Sequence, residues 1–141
     1  MAKILGIDYG KIITGLSITD AKKIFAFGLN AVFTKNIMNF LENFFCYEKI
    51  EKIVVGLPKK LNNKKEILIE TDIQKFLKKF HNKYPLISIE RLDERFTSKI
   101  AFDTMIRLGL KKKKRRKKEI LNQISATIIL QSYLTKEEKK N

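Results

Sequence analysis

The stretch KILGIDYGKIITGLSITD, residues 3–20, leaves few architectures open. Ile4, Leu5 and Ile7 make a short apolar strand that stops at Asp8, and Tyr9-Gly10 turns the backbone. Gly15 to Thr19 then form a second strand, ending near Asp20. Strands joined this tightly must be antiparallel, because a parallel pair needs a long crossover. Asp8 is thereby placed at the open end of the first strand, beside a glycine turn. That position suits a metal or a phosphate-bearing ligand, and it equally suits a plain turn former.

Lys22-Lys23 make the next turn, and Ile24 to Phe33 reads as a third strand, completing an antiparallel meander. Ile37, Phe40, Leu41, Phe44 and Phe45 recur at helical spacing. Ile53-Val54-Val55, ending at Gly56, Leu57 and Pro58, is the continuous apolar run of a strand buried on both faces. With a helix between them, it runs parallel to the first strand. After the polar loop 59–65, Ile69, Ile73, Phe76, Leu77 and Phe80 mark a second amphipathic helix, and Pro85 closes it. Leu86 to Leu92 is a fifth strand, ending in Asp93, Glu94 and Arg95. Thr97 or Ser98 caps a helix that runs to Gly109. The basic loop 110–118 follows, containing KKKKRRKK, and the last helix runs from Glu119 to about Leu134, with Ile120, Ile124 and Ile128 one turn apart.

The expected fold is a single α/β domain over residues 1–141. Its sheet is five-stranded and mixed, a three-strand antiparallel meander plus two parallel strands, with flanking helices. In such sheets function gathers beyond the carboxyl ends of the strands. Asp8, the Leu57-Pro58 turn and Asp93-Glu94 all fall at that rim. Two carboxylates brought together repel, and one holds its proton unless a cation lies between them. Mg²⁺ or Mn²⁺ is the natural cation, being oxygen-loving and able to activate water against a phosphodiester.

Charge narrows the partner. Thirty Lys and Arg stand against 15 Asp and Glu, a formal net charge of +15, which points to a polyanion, most simply nucleic acid. Lys113, Lys114, Arg115 and Arg116 in the basic loop, with Lys11, Lys59 and Arg95 near the rim, are the candidate phosphate contacts. Tyr9 either stacks on a base or packs. The lone Cys46 allows no internal disulfide and fits a reducing compartment. The lone His81 excludes a zinc site of the Cys/His kind. Neither a signal peptide nor a membrane-length apolar run is present, so a cytoplasmic protein without a membrane partner is expected.

Four segments together resemble the YqgF/RuvX family of pre-16S rRNA nucleases and Holliday-junction resolvase-like proteins. They are GIDYG with GLSITD (6–10 and 15–20), IVVGLPK (53–59), LDERFTSKIAFDTMI (92–106) and ISATIILQSYL (124–134), in the family's order. The resemblance implies an RNase H-like fold and a nuclease using Mg²⁺ or Mn²⁺ in 5′-end processing of 16S rRNA. Its partner would be precursor 16S rRNA or a pre-ribosomal particle. It implies Asp8 and Glu94 as catalytic metal ligands. The third acidic position falls at Asn122, where this chain has an amide, followed by Gln123. Ile12 and Ile13 stand where relatives often carry basic residues. Weak or absent cleavage is therefore expected, with Glu119, one turn earlier, as a candidate substitute for the lost charge. The rival readings are a resolvase acting on branched DNA, a catalytically weakened RNA-binding assembly factor, and an actin-like small-molecule kinase, for which the chain is short.

Overall fold

The computed structural model describes residues 2–58, 63–93 and 114–140, the side chains of 114–118 excepted. Strands β1 (Lys3–Asp8), β2 (Ile13–Thr19), β3 (Ala26–Phe33), β4 (Ile50–Leu57) and β5 (Ser88–Asp93) form one sheet in the order β3-β2-β1-β4-β5. β1 pairs antiparallel with β2, and β2 with β3; β4 runs parallel to both β1 and β5. The meander and the two parallel strands are those expected from the sequence.

Helices α1 (Ile37–Phe44) and α2 (Lys64–Lys83) cover one face, and α3 (Lys114–Lys139) covers the other. Side chains alternate across a strand. Leu5, Ile7, Ile53 and Val55 join Ile37, Leu41, Phe44, Ile73, Phe76 and Phe80 in one core. Ile4, Val54 and Leu92 join Ile129, Leu130, Tyr133 and Leu134 in the other. Covering on both faces is why β4 reads as an unbroken apolar run. Among the described residues, no helix is long and apolar enough to cross a membrane.

Several boundaries differ from expectation. β2 begins at Ile13 because Ile13 and Thr14 pair with Phe33 and Val32. β3 begins at Ala26, not Ile24, because the Asp20 carboxylate accepts from the backbone N–H of Ile24 and of Phe25, both at 2.8 Å, and holds them in the turn. Lys23 takes the left-handed conformation there, φ 59°. β5 begins at Ser88: Ile87 N–H donates to the Tyr84 carbonyl, closing a turn that leaves Leu86 96% exposed. The last helix begins at Lys114, not Glu119, so residues 114–118 of the expected loop are helical in backbone. Lys and Arg are good helix formers, and charge repulsion alone does not exclude them from a helix. The helix expected between Thr97 and Gly109 lies outside the described residues.

On α3 the half-buried Ile124 and Ile128 do not lead the packing; Ala126, Ile129, Leu130, Tyr133 and Leu134 are buried instead. Small residues explain this. A Cβ on Gly6 would overlap Ser17 Oγ and press on Leu130 Cβ at 2.8 Å and the Ala126 carbonyl oxygen at 3.0 Å. A Cβ on Gly15 would overlap the backbone carbonyl of Asn122. The helix therefore lies directly on β1 and β2, fixed by Ser17 Oγ donating to the Ala126 carbonyl at 2.7 Å.

Candidate active site

Asp8 ends β1, the central strand. By alternation it shares the α3 face with Ile4 and Gly6. Its cross-strand partner is Gly15. Because Gly15 lies against the Asn122 backbone, Asp8 and Asn122 are drawn to the same corner of the sheet from opposite ends of the sequence. Asn122 Nδ2 donates to the Ile13 carbonyl at 3.3 Å, which ties the amide to the start of β2. Glu119 is exposed on α3 one turn before Asn122.

At the other side of the rim, Ile7 is level with Val55 and Val55 with Arg91, so Asp8 stands level with Gly56 and Leu92. Asp93 is one row further on, two strands and about 10 Å from β1. Leu92 faces α3, whereas Arg91 reaches α2; alternation puts Asp93 on the α2 side. Asp8 and Asp93 thus reach one rim on opposite faces. Glu94, Lys59, Arg95 and Lys113 lie outside the described residues. Lys114, Arg115 and Arg116 are placed in backbone only.

A clamp that sequence reasoning missed holds this rim. The Arg91 guanidinium donates to Glu70 Oε2 at 2.9 Å and Oε1 at 2.7 Å, to the Gly56 carbonyl at 3.0 Å and to the Val55 carbonyl at 3.3 Å. It ties α2 to the carboxyl end of β4. The signal available was an arginine inside a strand pattern, which needs a partner when half-buried. Hydrogen bonding from Arg91 lowers the Glu70 carboxyl below its ordinary 4.5, so its stabilisation is complete above about pH 4.5 and is lost as pH falls through the lowered value. Arg91→Met should cost about 2 kcal/mol in chemical denaturation at pH 7, and the gap between wild type and variant should narrow as pH falls through the lowered Glu70 value. Equal stabilities at pH 7 would show that the clamp holds nothing.

The α2 side of the rim carries a basic groove. Tyr9 follows Asp8 directly and packs on Phe76 with ring centroids 5.5 Å apart. Lys11, Lys35, Lys75 and Lys79 line the same concavity, of about 390 Å³. Burial, then the charge of Asp72, raises the Tyr9 hydroxyl above its ordinary 10.0 and keeps it neutral. Of these lysines, sequence reasoning picked out only Lys11. Lys75 and Lys79, like charges one turn apart on a helix, were the available signal for the rest.

This architecture is the RNase H-like α/β fold of RuvC-like resolvases. Thermus thermophilus RuvC bound to a Holliday junction matches with a TM-score of 0.59 at 10% identity, over 98% of this chain and 96% of that one. A fowlpox virus resolvase with its junction DNA matches with a TM-score of 0.57 at 14% identity, over 96% and 98%. Within that fold the chain belongs to the RuvX family, described as Holliday junction resolvase, whose profile spans residues 2–136. A Flavobacterium psychrophilum protein is 50% identical over 96% of this chain and 98% of its own length. A Christiangramia forsetii protein is 50% identical over 95% and 98%, and one from Karelsulcia muelleri 47% over 95% and 99%. All three bear the name "Putative pre-16S rRNA nuclease".

Proposed function

We propose that this protein is a cytoplasmic, divalent-metal-dependent nuclease that hydrolyses phosphodiester bonds in the 5′-end processing of 16S rRNA. The observation that carries the reading is similarity, at up to 50% identity and over nearly the whole length, to relatives named for that activity. The substrate is precursor 16S rRNA or a pre-ribosomal particle, drawn in by the net charge of +15.

The donor chemistry of the Asp8 corner fits a hard cation. It offers carboxylate and amide oxygens, without thiol or imidazole. Among the described residues no three of His, Cys, Asp and Glu cluster closely enough to hold a metal, and this reading draws its second carboxylate from outside them. Asp93 lies on the α2 side, which supports assigning that role to Glu94. Asp8 and Glu94 would hold Mg²⁺ or Mn²⁺, which when bound polarises the phosphodiester and acidifies a water. Asp8 supplies a full charge from a strand paired on both sides, so its position is fixed before substrate arrives. The Asn122 amide offers dipole and shape where a third carboxylate would add charge.

Asn122→Asp should therefore raise a weak or absent cleavage of a precursor 16S 5′ leader by about tenfold or more. It should also lower stability by about 1 kcal/mol, since a carboxylate cannot donate to the Ile13 carbonyl. If Glu119 already supplies the charge, Glu119→Gln abolishes cleavage and Asn122→Asp adds little. Cleavage indifferent to both changes would leave α3 without a catalytic carboxylate.

The family's description favours one second reading, cleavage of branched DNA. Parallel assays on a four-way DNA junction and the RNA leader, each with Mg²⁺ or Mn²⁺, decide between them. Binding without cleavage of either identifies an RNA-binding assembly factor.

A further inference from the structure

Next to the rim where Asp8 ends β1, but across the sheet from α3, lies the groove of Tyr9, Lys11, Lys35, Lys75, Phe76 and Lys79. Its composition is one-sided. Four ammonium groups line it against the single carboxylate of Asp72. Among the described residues, the ion pairs engage Lys3, Lys23, Lys83, Arg91 and Lys140, and none of these four lysines. Lys75 and Lys79 are exposed on α2 one turn apart, a spacing that is unfavourable for the isolated helix. Lys11 comes from the β1–β2 turn and Lys35 from the helical turn Thr34–Asn36, so three separate parts of the chain bring positive charge to one concavity. Tyr9 lines the same groove, a partly buried ring packed on Phe76. A flat ring among cations matches a strand whose bases are free to stack and whose phosphates are free to turn outward. A duplex keeps its bases paired and would use the cations alone.

We propose that this groove is a binding channel for a single-stranded nucleic-acid segment flanking the bond to be cleaved. Tyr9 stacks on a base, and Lys11, Lys35, Lys75 and Lys79 contact the phosphates. Tyr9 and Asp8 are consecutive on opposite faces of the rim, so a strand that passes over the rim from Asp8 meets the groove at the next residue of the chain. The inference rests on the reading above of Asp8 as the reacting edge.

The test is fluorescence anisotropy of a labelled 12-nucleotide oligouridylate in EDTA, with the full chain, across a range of NaCl concentrations. Lys75→Gln with Lys79→Gln should weaken binding about tenfold at low salt and flatten the log–log salt slope by about 1.4, two contacts at about 0.7 each. Both side chains are solvent-exposed, so the double variant keeps its fold. Tyr9→Leu should weaken binding about tenfold, while Tyr9→Phe, which keeps the ring, should stay close to wild type. An unchanged affinity and slope in the double variant overturns the proposal. So does an equal loss for a 12-base-pair duplex, which would make the groove a seat for paired phosphates. EDTA separates the two readings: cleavage absent from both the wild type and Asn122→Asp, with these binding losses, sinks the nuclease and spares the channel, and metal-dependent cleavage with unaltered binding does the reverse.

Discussion

Asp8→Asn is expected to remove Mn²⁺ binding measured by isothermal titration, and to reduce any metal-dependent cleavage by about 10² or more. The substitution keeps the side chain's shape and one oxygen but discards the full charge that β1 brings to the corner with Gly15 and Asn122. The backbone there is held on both sides, by β2 through the Asp8–Gly15 pair and by β4 through the pair Ile7–Val55. A loss of binding is therefore electrostatic and not a displaced strand. The melting temperature supplies the control. An Asp8→Asn protein that melts like wild type yet titrates Mn²⁺ with an unaltered isotherm would place the metal elsewhere and remove Asp8 from the chemistry.

Gly15→Ala should be strongly destabilising. Its Cβ would occupy the space of the Asn122 backbone carbonyl, and a helix backbone cannot rotate away as a side chain can. Relief requires α3 to lift from β2, which lengthens the Asn122–Ile13 and Ser17–Ala126 hydrogen bonds together. Overpacking of this kind costs about 3 kcal/mol, which for a chain of this size lowers the melting temperature by about 10 °C. Gly28→Ala is the matched control under the same helix. Its added Cβ would meet Thr127 Oγ1 at 3.5 Å, an ordinary contact, so the change should be nearly neutral. Equal melting temperatures for the two variants would mean that α3 does not rest on Gly15.

The parts of the fold legible in sequence are those where local pattern and burial agree. The β1–β2 pair follows from a turn too short for any crossover. β4 follows from an apolar run that only two-sided covering explains. α1 and α2 follow from stripes at helical spacing. What escaped was set by partners distant in sequence. The burial of Ala126, in preference to the isoleucines beside it, depends on Gly6 and Ser17 across the sheet. Arg91 reads as a surface charge until Glu70 on α2 is seen beneath it. At the candidate site, the positions of Asp8 and Asn122 were legible through the family's motifs, whereas their meeting at Gly15 was not. The lysines of the Tyr9 groove were obscured by abundance, because 30 basic residues in one chain hide any four that converge.

The contact of α3 with β1 and β2 also has a temporal side. Asn122 and Ile13 are 109 residues apart, as are Ala126 and Ser17. At typical elongation rates those residues take about 5 to 20 s to be made. The strands are made by the end of that interval, and the helix that completes the Asp8 corner is made last. The corner closes only as that helix docks, so on this reading any cutting waits for the last helix, however early the strands are in place.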